Sequence, residues 1–144
     1  MNSDADILLI EDNMDDAELA IRALKKNNLV NNLLHFKDGA EAIDYIFGEG
    51  NFLETPTSFP KVILLDLKMP KVNGIEVLKR LKGDERTKKI PVVILTSSKE
   101  DPDIQTCYNL GANSYIVKPV GFEEFVKAVS NLGLFWMILN QPPS

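Results

Sequence analysis

Five polar stations recur along this chain, each just downstream of a short apolar run, and their side-chain types suit one piece of chemistry. Glu11 and Asp12 follow Ile7-Leu8-Leu9-Ile10, and Asp66 follows Val62-Ile63-Leu64-Leu65. Thr96 and Ser97 follow Val92-Val93-Ile94-Leu95, and Lys118-Pro119 follows Tyr115-Ile116-Val117. A weaker run, Leu33-Leu34-His35-Phe36, ends at Asp38-Gly39. Three carboxylates brought together repel one another, and burial makes this worse, so a fold keeps such a cluster when a cation offsets the charge. Oxygen-only ligands favour a hard ion such as Mg2+. The chain has a single histidine and a single cysteine, so zinc and copper lack their usual ligands. A compact ammonium at Lys118 suits recognition of a mobile anion such as a phosphoryl group, and the Thr96 hydroxyl can donate to the same anion.

Each residue taken alone has a plainer reading. Asp12 before Asn13 can be a helix N-cap, Lys118 a surface lysine, and Thr96 a strand-end turn residue. One cap needs one acid, so Glu11, Asp12 and Asp66 together call for the cation.

The elements that must position these residues are readable. Runs of four or five aliphatic residues separated by helix-length segments are buried parallel strands. Ala17, Ala20, Ile21 and Leu24 keep the spacing of one helix face. Asp38 with Glu41 predicts an N-cap and its reciprocal acid, opening a helix through about Phe47. Ile75, Leu78 and Leu81 place a third helix after Gly74. Asp101-Pro102 is a cap followed by a helix-initiating proline, and Gly111 stops that fourth helix after Leu110. Phe122, Phe125, Val126, Val129 and Leu132 make the fifth. The result is an α/β, (βα)5 domain with right-handed crossovers and helices on both faces. In such sheets ligands bind outside the carboxyl ends of the strands, where the acids, the hydroxyl and the lysine all lie.

Length and composition set limits. The 144 residues fit one domain, expected as a core over about 6–132 with an apolar extension over 133–144. The net charge of −5 argues against nucleic acid as a partner. Lone Cys107 suits a reducing cytosol, the start of the chain lacks a signal peptide, and the longest apolar run, Leu134 to Leu139, is too short to span a bilayer. A cytoplasmic protein is therefore expected. His35 is expected to be structural and away from the acidic edge, and Cys107 to be packing. Lys79, Arg80, Lys82, Arg86, Lys88 and Lys89 read as a solvated face.

The pieces Ile10-Glu11-Asp12-Asn13, Asp66-Leu67-Lys68-Met69-Pro70-Lys71-Val72-Asn73-Gly74, Leu95-Thr96-Ser97 and Tyr115-Ile116-Val117-Lys118-Pro119 resemble, in this order and spacing, the receiver domains of two-component response regulators. The resemblance runs from about Asp6 to about Leu132 and implies a five-stranded flavodoxin-like sheet in the order 2-1-3-4-5. It implies that Asp66 is the phosphoryl acceptor. Asp12 and Asp66 would bind Mg2+ directly, Glu11 through water, and the backbone carbonyl of Lys68 would complete the protein ligands. Glu11 stands where aspartate is commoner, and its longer arm should still reach an outer-shell water. Thr96 and Lys118 would contact phosphoryl oxygens, and Tyr115 would swing inward behind Thr96, remodelling the face made by the fourth helix, fifth strand and fifth helix.

No output domain is expected, so the resemblance implies a stand-alone receiver. It would act as a signalling module rather than an enzyme, taking part only in its own phosphotransfer and autodephosphorylation. Its partners would be a sensor histidine kinase and a downstream phosphotransfer or effector protein. The segment Gly133–Leu139 is apolar all round, and either packs back on its own sheet or forms a homodimer interface centred on Phe135 and Trp136. Gly48–Pro60 is longer than most loops of its kind and is either a tolerated insertion or functional. Loop and tail together resemble single-domain receivers paired with phytochrome-type histidine kinases. A phosphatase of the haloacid dehalogenase type would need a second aspartate where Lys68 stands. A flavodoxin-like electron carrier lacks a phosphate-cradling first loop. The alternative left standing is a phosphorylation-independent scaffold on a receiver fold.

Overall fold

Ile7–Ile10 (β1), Val62–Asp66 (β3) and Val92–Thr96 (β4) carry no polar face until their last residue, and every residue in them is buried. That is the pattern of central strands covered on both sides. Leu33–Phe36 (β2) and Ser114–Val117 (β5) are only partly buried, as edge strands should be. The computed structural model describes residues 6–26, 33–49, 59–69 and 72–131. In it the five strands are parallel and lie in the order β2-β1-β3-β4-β5, as the sequence implies.

The helices α1 (Met14–Lys26), α2 (Gly39–Phe47), α3 (Gly74–Lys82), α4 (Asp103–Asn109) and α5 (Phe122–Asn131) alternate with the strands. Strand residues alternate between two cores. Ile7, Leu9, Val62, Leu64, Val93, Leu95 and Ile116 pack with Ala17, Ala20 and Leu24 of α1 and with Phe125 and Ala128 of α5. Leu8, Ile10, Ile63, Leu65, Val92 and Ile94 pack with α2, α3 and α4. Burying a Leu or Ile side chain contributes about 1.5–3 kcal/mol, so these two layers hold the sheet in place on both faces.

The caps are legible but differ in detail. Asp38 caps α2 by accepting from Ala40 N–H at 2.7 Å, and Gly48, at φ 67°, ends it. Asn73 caps α3 through Glu76 N–H. Asp101 Oδ1 accepts from Asp103 N–H at 2.9 Å, so the aspartate rather than Pro102 supplies the cap of α4. Gly111, at φ 110°, follows the end of that helix. At the opposite rim, Lys61 N–H donates to Asp6 O at 2.9 Å and the two side chains pair at 3.3 Å.

Two expectations need correction. His35 is not remote from the acidic edge: β2 sits beside β1, and Nε2 lies 2.8 Å from Glu11 O. The basic cluster is not uniformly solvated. Lys82 is half-buried, its Nζ donates to the carbonyls of Lys88 and Ile90, and burial pushes its ammonium pKa down. Arg80 and Arg86 lie over the Phe47 ring, at 4.3 Å and 5.1 Å from its centre. Cys107 is buried as expected, and burial lifts its thiol to about 11, which leaves it inert. Phe135 and Trp136 lie outside the described residues, as does most of the 48–60 loop.

Candidate functional site

Parallel strands in register end together. Asp66 closes β3 beside Leu95 of β4, and Thr96 closes β4 beside Val117 of β5. Glu11 follows β1 and Lys118 follows β5, so four chain crossings deliver the predicted residues to one rim. Asp66, Thr96 and Lys118 line a cleft of about 200 Å³ together with Asp12 and Lys68, and Glu11 lies buried beside it, 2.9 Å from Lys118 Nζ. Asp38 does not line it; its role is the α2 cap.

Asn13 decides what Asp12 does. Asn13 Oδ1 accepts from Asp16 N–H at 3.0 Å, so it caps α1 and leaves the Asp12 carboxylate to the cleft. One carboxylate oxygen from each of Glu11, Asp12 and Asp66 lies within 4.8 Å of the others. Burial raises the Asp66 carboxyl above the ordinary aspartate range, and the neighbouring Glu11 adds to this. Burial raises Asp12 too, with Asp66 second.

Lys118 is the counterweight. Its Nζ lies 2.9 Å from Glu11 Oε1, 3.1 Å from Asp66 Oδ1 and 3.3 Å from Asp16 Oδ2. Burial alone would lower the ammonium; the Glu11 and Asp66 carboxylates outweigh it and raise it, so Lys118 is charged at any physiological pH. The Lys118-Pro119 peptide is cis. Buried Glu11 Oε1 faces that ammonium without a well-formed hydrogen bond. A fully buried carboxylate oxygen short of donors, in an all-oxygen set, fits a hard divalent cation. Lys118→Met is expected to lower stability by about 2 kcal/mol near neutral pH in EDTA, because it strands buried carboxylates. With the cation gone, protonation of the acids relieves the strain. The gap from wild type should therefore narrow as pH falls through the raised Asp66 range, which urea melts at several pH values will read.

Two residues in the cleft went unnoticed in the sequence. Asp16 lies in the first turn of α1, just past the Asn13 cap, and lines the cleft with Asp12. Asp101 was assigned only a cap, yet a carboxylate has a second oxygen. Asp101 Oδ2 lies 3.3 Å from Thr96 Oγ1 and 3.8 Å from Lys68 Nζ. Tyr115 is half-buried in β5 opposite Ile94, on the same side of the sheet as Thr96, and meets Tyr108 of α4 edge to face with ring centres 6.4 Å apart.

A cluster of three acids beside a cleft that a threonine hydroxyl and a lysine also line, at the carboxyl edge of a 2-1-3-4-5 sheet, defines a class. Residues 7–130 match the response regulator receiver domain, and the chain belongs to that family. Among its relatives is the probable methanogenesis regulatory protein FilR2 of Methanothrix harundinacea, 39% identical over 95% of this chain and 86% of that protein. Response regulator Rcp1 of Synechocystis sp. (strain ATCC 27184 / PCC 6803 / Kazusa) is 35% identical over 91% of this chain and 88% of its own. Its Mn2+-bound crystal structure superposes with a TM-score of 0.73, covering 96% of this chain and 98% of that one, at 34% identity. The bacteriophytochrome response regulator RtBRR is 48% identical, with a TM-score of 0.86 over 98% of this chain and 85% of its own. Among the described residues no helix is long and apolar enough to cross a membrane.

Proposed function

We propose that this protein accepts a phosphoryl group on Asp66 from a sensor histidine kinase and signals through its α4-β5-α5 face. The observation that carries this reading is the placement of Asp66. The residue is 3% exposed, lines the cleft, has Lys118 Nζ 3.1 Å from its carboxylate, and shares a cluster with Glu11 and Asp12. A carboxylate oxygen attacks phosphorus, the new O–P bond replaces the bond to the donor's imidazole nitrogen, and the imidazole leaves with the electron pair. Lys118 holds a non-bridging phosphoryl oxygen and offsets the charge that develops there. Asp12, Asp66 and the Lys68 carbonyl would hold Mg2+ directly, with Glu11 acting through water. The ion would supply charge neutralisation at the phosphoryl oxygens.

Thr96 then donates to a phosphoryl oxygen, and Tyr115, on the same sheet face, follows it inward. Phosphorylation in this reading biases two states by differential contacts. The likeness to RtBRR, named for its bacteriophytochrome, supports a phytochrome-type kinase as the donor. A cytoplasmic location and a symmetric dimer through α4-β5-α5, extended by Phe135 and Trp136, complete the proposal.

Incubation with acetyl phosphate and Mg2+, followed by intact mass and mapping of the adduct, tests the reading. One phosphoryl group on Asp66, absent in EDTA, is the expected result. An unmodified protein that also fails to bind beryllofluoride would leave the phosphorylation-independent scaffold as the better description.

A further inference from the structure

The Thr96 hydroxyl has one proton, and the β4–α4 loop claims it. Thr96 is 2% exposed at the end of β4. Its Oγ1 accepts from Ser98 N–H at 3.3 Å and has two acceptors within reach, Ser98 O at 3.0 Å and Asp101 Oδ2 at 3.3 Å. Both belong to the loop between β4 and α4, and Asp101 lines the same cleft as Asp66. The Asp101 side chain is 6% exposed. Its Oδ1 is fixed by the helix cap, so Oδ2 cannot turn away without uncapping α4.

We propose that Asp101 is a positioning residue, a latch that holds Thr96 in the resting arrangement by accepting its proton, and so sets how readily the phosphorylated arrangement is reached. The inference rests on the phosphoacceptor reading of Asp66. Moving the Thr96 proton to a phosphoryl oxygen takes a donor from a nearly buried carboxylate, and the remaining partner of Oδ2, Lys68 Nζ, is 3.8 Å away on an exposed side chain. A buried acceptor that loses its donor resists the change. The latch also ties two loops together, since Lys68 lies two residues past Asp66 and Asp101 caps α4.

Asp101→Asn isolates this role. Asparagine is as good an N-cap as aspartate, so its amide oxygen can keep the bond from Asp103 N–H. Its amide nitrogen then faces Thr96 as a donor, which leaves the neutral carbonyl of Ser98 as the hydroxyl's one loop acceptor and makes the proton easier to give up to the cleft. Beryllofluoride affinity at fixed Mg2+ should rise about tenfold over wild type. In a Thr96→Val background the same substitution should change affinity less than about twofold, because there is no proton to release. Asp101→Ser, which also caps but offers no carboxylate, should reproduce the gain.

A merely structural role for Asp101 would lower affinity, so an unchanged or weaker Asp101→Asn overturns the latch. An equal gain with and without the Thr96 hydroxyl also overturns it, since Asp101 would then act only by its charge. Wild-type protein that binds no beryllofluoride would instead fail the phosphoacceptor reading, a result distinct from either of these.

Discussion

Asp66→Asn is expected to take up no phosphoryl group from acetyl phosphate or from a cognate kinase, while gaining stability when divalent ions are removed. The two effects share one cause. The Asp66 carboxylate, the proposed acceptor, is held nearly fully buried against Glu11 and Asp12, and its raised pKa records the cost of that placement. An amide cannot attack, so the adduct should vanish by intact mass. The amide also removes one of three mutually repelling charges, while Lys118 keeps Glu11 at 2.9 Å and Asp16 at 3.3 Å. In EDTA the variant should gain about 1 kcal/mol, roughly 3–5 °C in Tm. Phosphorylation retained at another residue would sink the acceptor assignment. A variant that melts below wild type in EDTA would show that Asp66 is held by more than its chemistry requires.

Gly74→Ala should do damage of another kind. A Cβ at Gly74 would lie 2.3 Å from Asp66 O and 2.7 Å from Leu67 Cα. Both neighbours are backbone, so no side-chain rotation relieves the clash. Gly74 N–H also donates to Leu67 O at 2.9 Å, which ties the start of α3 to the residue after the acceptor. The chain must part by about an ångström, and overpacking of this sort costs about 3 kcal/mol, or roughly 10 °C in Tm. The shift falls on the backbone that carries Asp66, and if Asp66 is the acceptor a misplacement of that size should lower the rate of phosphorylation about a hundredfold. Thermal melts and initial rates with acetyl phosphate will check both. A variant within about 1 kcal/mol of wild type would mean that the acceptor loop is softer than its packing indicates.

The convergence of Glu11, Asp12, Asp66, Thr96 and Lys118 on one rim was legible in the sequence for one physical reason. Parallel strands in register bring whatever follows each apolar run to a common rim, so spacing along the chain becomes proximity in space. Strand order needed the family resemblance, because a run of aliphatic residues does not say which neighbour it pairs with. Asp16 and Asp101 were missed because each already had a local role, as a first-turn acid and a cap, and one oxygen of a carboxylate satisfies such a role. Whether the other oxygen points inward depends on tertiary placement. His35 was placed away from the acidic edge because nothing in the sequence says which strand β2 pairs with, whereas β2 lies against β1 and brings the ring to Glu11 O. Lys82 escaped notice because a charged run hides the member whose stem lies under Gly111.

The pairing of Asp6 with Lys61 marks a second rim, one strand length away from the chemistry, or about 15 Å for strands of four and five residues. Helix α2 returns the chain to that rim, and β3 leaves from it. Protein engineering has a use for this separation. A fluorescent reporter or a small binding module spliced into the sequence between Glu49 and Phe59 would join the chain on the opposite side of the sheet from Asp66. It could therefore follow the protein through a cycle of signalling without standing in the kinase's way.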